Sequence, residues 1–254
     1  MIVKKAVTVI QVLLILVFIG CAVYVGKYFY DLHVAGSEFE ALRREVRSQE
    51  TVDASGNYEE KYADNGMLLS YYDLYNKNND LCGWLRIKDT VIDYPVVQAK
   101  DNDYYLHRNF DKSYSYSGIP FLDCECKPTA SGLIIYAHNM KDGSMFSAIS
   151  KYENEDFYKS HRKINYDTLY EHGEYEIISV FRTTVGKKDE FKYYQYADIE
   201  TEQDFNEYVS AVKRLSVHDT GISANWGDKL LTLSTCAYHT SNERLVVVAV
   251  KKSE

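Results

Sequence analysis

Three residues of the chain have the types that covalent acyl transfer requires. Cys236 ends the apolar run KLLTLSTC, Arg244 opens the run RLVVVAV eight positions later, and His138 ends the run GLIIYAH. A thiolate attacks a carbonyl carbon, an imidazole moves the proton, and a guanidinium donates hydrogen bonds to an oxygen that gains negative charge. On composition alone, a core cysteine, a hydrogen-bonded histidine and a surface arginine remain the simpler interpretation.

The three residues can act together only if their strands meet at one end. If GLIIYAH and KLLTLSTC lie in one sheet and point the same way, Cys236 and His138 meet at its rim. If AYHTSNE folds back as a hairpin-like loop, Arg244 returns to that rim. His239 lies in this loop, so we expect it to be exposed. The other histidines lie in polar contexts and are expected at the surface: His33, His107, His161, His172 and His218.

The chain from residue 83 onward predicts a mainly β domain. Short apolar runs alternate with turn residues, which is typical of a barrel or a sandwich. These runs are GWLRI, VIDYPVV, GIPFLD, GLIIYAHN, YEIISVFRTTV, KLLTLSTC and RLVVVAVKK. Two helical insertions, residues 144–161 and 201–219, interrupt them, and Thr201 begins the second as an N-cap. The fold class is therefore α+β with a dominant β part.

The N-terminus predicts a membrane anchor. Residues 6–25 carry no charge, and 20 helical residues span a hydrocarbon core of about 30 Å. Lys4 and Lys5 precede them, which predicts a cytoplasmic N-terminus and a single-pass protein with its main domain outside. A cleaved signal peptide and a lipidated Cys21 are the alternatives, but the apolar run is long and continues past Cys21.

The predicted organisation has four parts. Residues 1–5 form a short cytoplasmic segment, 6–25 the anchor, 26–66 a stalk and linker, and 67–254 an extracytoplasmic domain that starts with a helix. Within the stalk, residues 37–50 are charged and helix-compatible, which predicts a solvated helix.

Composition excludes several functions. The formal net charge is −8 and no basic stripe is visible, so nucleic acid is not expected as a partner. The cysteines at 21, 82, 124, 126 and 236 form no recognisable disulfide framework. The sequence DCEC contains a lone Cys-x-Cys without the second ligand pair of a zinc site, so we expect no metal and no cofactor.

Together, these motifs resemble the sortases, the cysteine transpeptidases of Gram-positive cell surfaces, and class B in particular. The resemblance rests on TLSTC with an arginine eight positions later and on YAHN about a hundred residues upstream. It extends through GWLRI, IDYPVVQAKDNDYYL, SGIPFLD and MFSAISKY, so that it covers residues 81–251. It implies a closed β-barrel with peripheral helices. Two residues depart from the family pattern. Ala137 stands where family members usually have Gly, and Ala237 stands where some members have an acidic residue.

The resemblance also implies roles and partners. Cys236 corresponds to the nucleophile, His138 to the general acid/base and Arg244 to the oxyanion-stabilising arginine. Substrate-binding positions correspond to Asn102, Leu106, Tyr136, Ser234 and, by a looser match, Tyr194. The implied partners are surface proteins with a C-terminal sorting signal of the Asn-Pro-x-Thr-x type and an amine of a peptidoglycan precursor.

Three alternatives to wall anchoring remain open from the sequence. The chain could polymerise pilin subunits with a lysine acceptor, or hydrolyse its substrate as a Cys–His protease. It could also be a membrane-tethered binding module without catalysis.

Overall fold

A computed structural model describes residues 2–52, 58–59, 61–127, 130–188, 190–236 and 242–253 of the chain. For residues 2–6, 9, 51–52, 58–59 and 236 it describes the backbone alone. The α-helices are α1 (Ile2–Gln49), α2 (Leu69–Lys77), α3 (Glu155–Ser160) and α4 (Glu202–Leu215). Short 3-10 helices cover Tyr104–His107, Phe146–Glu153 and Tyr193–Tyr196.

Eight of the strands close into a barrel, which confirms the predicted fold class. Two short strands, β1 (Thr51–Val52) and β2 (Tyr58–Glu59), pair separately. The barrel strands are β3 (Leu81–Arg86), β4 (Asp93–Val97), β5 (Phe121–Leu122), β6 (Gly132–His138), β7 (Lys163–Thr168), β8 (Glu174–Thr184), β9 (Lys229–Cys236) and β10 (Glu243–Lys251). Their order around the barrel is β10-β8-β7-β3-β4-β5-β6-β9.

Strand β9 lies between a parallel and an antiparallel neighbour. It runs parallel to β6 and antiparallel to β10. Since side chains alternate along a strand, its odd-numbered residues share one face and its even-numbered residues the other. Leu231 and Leu233 are fully buried in the core. The hydroxyls of Thr232 and Ser234 bond instead to tyrosines outside the barrel strands, so the even-numbered face of β9 is the outer one.

Helix α1 continues from the apolar segment onto the barrel without a break. It is the one helix in the described chain that is long and apolar enough to cross a membrane, which suggests a membrane anchor. The sequence predicts a solvated helix over 37–50, but the structure buries Ala35, Phe39, Leu42 and Val46 against the domain. Their spacing of three and four residues puts them on one face of the helix, and the charged residues occupy the rest.

Asp93 connects α1 to the barrel through several hydrogen bonds. Its carboxylate accepts from Trp84 Nε1 at 2.7 Å, Arg47 Nη2 at 2.8 Å and Arg86 Nε at 3.2 Å. Arg43 Nε donates to the Asp93 backbone oxygen at 2.6 Å. Burial alone raises the pKa of Asp93, but the donors from Trp84 and the two arginines outweigh it, so the pKa lies below its ordinary value.

We therefore expect Asp93→Asn to lower the free energy of unfolding by about 2 kcal/mol at pH 7, because charge-assisted bonds become neutral ones. A lowered pKa means that this stabilisation is complete above about pH 4 and is lost as the pH falls through the folded-state value. Urea unfolding of both proteins across this range measures the difference. Asp73→Asn on the exposed face of α2 is the control. A difference that stays constant down to low pH would contradict the assignment.

Candidate active site

His138 and Cys236 end two neighbouring parallel strands at paired positions. The register of β6 and β9 pairs Tyr136 with Ser234 and His138 with Cys236. Residues that are directly paired across a sheet share a face, so the two positions lie side by side on the outer face of the barrel, at its rim. The predicted meeting of these strands, in one sheet and pointing the same way, is confirmed.

Arg244 lies on the strand at the other side of β9. The ladder between β10 and β9 pairs Val246 with Ser234, and the Leu245 backbone N–H donates to Thr235 Oγ1 at 3.0 Å. Continued by two residues, this register sets Arg244 opposite Cys236 on the same outer face. Cys236 thus has His138 on one flank and Arg244 on the other.

The His138 ring is oriented by a backbone carbonyl. Its Nε2 lies 3.0 Å from the Leu106 oxygen. A carbonyl oxygen only accepts, so Nε2 carries the proton of this bond, and in the neutral ring Nδ1 is then the nitrogen that can accept a proton. The half-buried Leu106 therefore acts on the site through its main chain, which side-chain patterns in the sequence do not report.

Gly118 holds the segment that carries the Leu106 carbonyl. Its φ is +58°, and a Cβ on it would lie 2.6 Å from the Tyr105 oxygen and closer still to that of Leu106. Glycine is required here both by the left-handed backbone and by the close approach of the main chain.

We expect Gly118→Ala to displace the Leu106 carbonyl and to lower turnover about tenfold or more, since small misplacements near a reacting group are costly. Gly221→Ala is the matched control, because Gly221 has a φ of +68° and no atom within 4 Å of the added methyl. Both variants carry the strain of a positive φ, but only the Gly118 variant brings the added methyl against backbone oxygens. Peptide turnover and thermal unfolding of both variants therefore separate the two effects. Equal turnover in the two variants would contradict this role for Gly118.

A pocket beside Arg244 collects three of the predicted substrate-binding residues. Its volume is about 380 Å³. Its walls are formed by Asn102, Asp123, Cys124, Glu125, Tyr136, Val185, Tyr193, Tyr194, Gln195 and Arg244. The structure thus brings Asn102, Tyr136 and Tyr194 to one cavity next to the rim.

Asp123 organises one wall of this pocket. It accepts from Asn102 Nδ2 at 3.1 Å, and the Asn102 oxygen accepts from the Cys124 backbone N–H at 2.8 Å. Burial first, and then the charge of Asp123, raise the pKa of Tyr136 well above its ordinary value. The Tyr136 hydroxyl therefore stays protonated and acts as a hydrogen-bond donor.

The other wall contains Tyr193 and Tyr194. Tyr194 donates to Glu190 Oε1 at 2.7 Å, and this bond is the main cause that raises the pKa of Tyr194. Ser234 is fully buried, with its hydroxyl 2.7 Å from that of Tyr193. Ser234 therefore reaches the pocket through Tyr193. Direct contact of Ser234 or Tyr194 with a substrate stays a prediction.

The other cysteines of the domain are poor nucleophiles. Burial raises the pKa of the Cys82 and Cys126 thiols to about 12. Cys124 is partly exposed, and burial followed by the charges of Asp123 and Glu125 raises its pKa. None of the three is a ready thiolate at neutral pH. Within the described ranges, no group of three or more His, Cys, Asp or Glu residues is arranged to hold a metal.

Sequence reasoning missed one neighbour of the site. His107, expected as a surface residue, is exposed, but its ring stacks on that of His138 with centroids 5.5 Å apart. Its position directly after Leu106 was the available signal. His239 and Ala237 lie outside the described residues. The Ala137 methyl is buried in the core, on the opposite face of β6 from His138.

Comparison with known proteins agrees with this geometry. The family model described as Sortase domain matches residues 85–252. Sortase B of Listeria monocytogenes is 41% identical over 166 residues, which cover 65% of this chain and 65% of that protein. Sortase B of Staphylococcus aureus is 28% identical over 250 residues, which cover 97% of this chain and 96% of that protein. The crystal structure of sortase B from Bacillus anthracis in complex with AAEK1 has a TM-score of 0.74 and 30% identity, covering 89% of this chain and all of that one.

The matched region runs from β3 to β10 and includes the positions of His138, Cys236 and Arg244. A closed barrel with a cysteine and a histidine at paired strand ends fits an acyl-transfer enzyme of the cysteine type. The chain belongs to the sortase family. Its similarity to sortase B proteins of three genera assigns it to class B.

Proposed function

We propose that this protein is a membrane-anchored cysteine transpeptidase that attaches surface proteins to the cell wall. Its substrate is a C-terminal sorting signal of the Asn-Pro-x-Thr-x type, and its acceptor is an amine of a peptidoglycan precursor. The observation that carries the proposal is the register pairing of His138 with Cys236 at the rim. Membership of class B supports the choice of signal and acceptor.

In the first step, the Cys236 thiolate attacks the carbonyl carbon of the signal threonine. The C–N bond to the next residue breaks, and the His138 imidazolium gives its proton to the leaving amine. A thioester between the substrate and Cys236 remains. Arg244 donates hydrogen bonds to the carbonyl oxygen while it carries negative charge.

In the second step, the acceptor amine attacks the thioester carbon. His138 takes the proton from this amine, an amide forms, and the thiolate leaves. Each step exchanges one acyl bond for another without oxidation or reduction, so the proposal includes no cofactor. Asn102 and Tyr136 bind the signal in the pocket beside Arg244, and Tyr194 forms part of its wall. Ser234 supports this wall through Tyr193, and Leu106 binds the signal next to His138.

The membrane arrangement follows from the charges around the apolar segment. Residues 1–5 with Lys4 and Lys5 lie in the cytoplasm, 6–25 span the bilayer, and 26–66 lead to the catalytic domain outside the cell. The burial of Phe39 and Leu42 supports a short, rigid connection in which α1 packs directly on the domain. Both reactants, anchored precursor proteins and a lipid-linked acceptor, are available at this surface.

The test uses the full chain in detergent micelles with a panel of quenched sorting-signal peptides. Each peptide is incubated with and without triglycine or a diamino acid, and products are identified by mass spectrometry. We expect amide product to replace acid product when the amine is present. Cleavage that is indifferent to the amine would favour a protease, a preference for a lysine side chain on a protein would favour pilin polymerisation, and no turnover would leave a binding module.

Arg244→Lys tests the oxyanion role. It keeps the positive charge but loses the planar pair of N–H donors. We expect a fall in kcat of about 10²- to 10³-fold, which is the usual cost of one oxyanion donor.

Arg182→Lys is the matched control for this substitution. Arg182 lies on β8, opposite Leu245 of β10, and its guanidinium pairs with Glu153. We expect turnover close to that of the wild type, because this ion pair is partly exposed. If Arg244→Lys were also close to wild type, Arg244 would not stabilise the oxyanion.

A further inference from the structure

His107 lies in a stack of three rings that ends on the acid/base histidine. Its ring centroid is 5.5 Å from that of His138, with 28° between the planes. The centroid of the Tyr114 ring lies 6.3 Å from that of His107, with 25° between the planes. His107 is exposed and Tyr114 is 69% exposed. We propose that His107 is a positioning residue, whose ring face holds the His138 imidazole in its productive orientation.

The backbone fixes His107 in this place. It ends the 3-10 helix Tyr104–His107, one residue after the carbonyl that bonds to His138 Nε2. The His107 backbone oxygen accepts from the Ser115 N–H at 3.0 Å, and the backbones of Arg108 and Tyr114 form an antiparallel β-bridge. The rings of His107 and Tyr114 therefore belong to one small hairpin, which Gly118 follows closely in the chain.

A hydrogen bond at one ring nitrogen does not by itself fix the plane of an imidazole. The terminal χ torsion of histidine is broad, so a ring held at Nε2 can still tilt about the bond to its acceptor. An aromatic face stacked at this distance opposes the tilt, because offset stacking contributes beyond simple burial. Leu106 thus sets the direction of Nε2 and His107 sets the plane of the ring. Together they fix the orientation of the imidazole at the strand position that is paired with Cys236.

The proposed role needs the ring of His107 and not its nitrogens. Substitution of His107 by Ala, Phe and Gln separates stacking from hydrogen bonding. We expect His107→Ala in the full chain to lower kcat about tenfold, with KM and the thermal midpoint close to wild type. His107→Phe keeps the ring and removes both nitrogens, so we expect it to restore most of kcat. His107→Gln keeps polar atoms without the ring, and we expect it to behave like the alanine variant.

Tyr114→Ala removes the outer ring of the stack and should lower kcat by a smaller factor than His107→Ala. Tyr170→Ala is its control, because Tyr170 is also exposed but follows β7 at the end of the barrel away from the His138 rim. We expect turnover of the Tyr170 variant to equal that of the wild type.

The inference rests on the proposed transpeptidation, and the two fail in different ways. If the wild type turns over no peptide, the proposed function fails. If the wild type is active and His107→Ala has the same kcat, or if Gln restores kcat and Phe does not, only the positioning role is overturned. A loss confined to KM or to the thermal midpoint would also overturn it.

Discussion

We expect Cys236→Ala to abolish both cleavage of a sorting-signal peptide and transfer to an amine, because the proposed mechanism passes through a thioester on this residue. Without the thiol, no covalent intermediate forms, and the remaining groups only bind and polarise the substrate. We expect kcat to fall by at least about 10⁴-fold, as for other enzymes that lose their nucleophile. The measurement is peptide turnover by the full chain in micelles, with binding of the same peptide measured separately. Binding should persist, because the pocket beside Arg244 is unchanged.

The control for Cys236→Ala is a second cysteine in the same chain. Cys21 lies in the apolar segment of α1, and we expect Cys21→Ser to keep wild-type turnover. The raised pKa values of Cys82, Cys124 and Cys126 leave no other thiol in the described part of the domain to replace Cys236. Residual transpeptidation by Cys236→Ala at a tenth of the wild-type rate would therefore disprove the nucleophile assignment.

His138→Ala has the second largest expected effect. In the proposed mechanism the imidazole protonates the leaving amine and later takes the proton from the acceptor, so we expect both steps to slow without it. General acid/base catalysis contributes about 10²- to 10⁴-fold, and we expect kcat to fall within this range. Because the thiol remains, slow acylation of Cys236 by an activated ester substrate should survive, since such a leaving group needs no proton.

His172→Ala is the control for His138→Ala. His172 lies between β7 and β8, where its Nδ1 pairs with Asp167 at 2.9 Å, and it has no part in the rim. We expect the turnover of folded His172→Ala to match the wild type. If the two histidine variants lost activity equally, the loss would reflect general destabilisation and not proton transfer by His138.

Much of the fold could be predicted from local sequence. KLLTLSTC coincides with β9 because its apolar run is bounded by polar residues, and Thr201 caps α4 by accepting from the Asp204 N–H. β7 was missed, because KINYDT has only two strongly apolar side chains and forms a strand through its neighbours. The packed face of α1 was missed because its charged residues hide the spacing of Phe39, Leu42 and Val46.

The candidate site was predictable in residue types and less so in geometry. Nothing local specifies that β6 and β9, about a hundred residues apart, lie side by side and parallel. The sequence offered that pairing only as the condition under which Cys236 and His138 would meet. The Leu106 carbonyl and the His107 ring act through a main-chain atom and a stacking distance. Neither property can be derived from the order of side chains, so both required the structure.

Intact mass spectrometry of the enzyme during turnover tests the central claim most directly. The full chain is mixed with a sorting-signal peptide without amine, quenched in acid, weighed and mapped by proteolysis. We predict a mass increase equal to the acyl part of the peptide, located on Cys236. When an amine is added, this adduct disappears and the acyl group is found in the amide product. Turnover without an adduct, or an adduct on Cys124 in place of Cys236, would contradict the account.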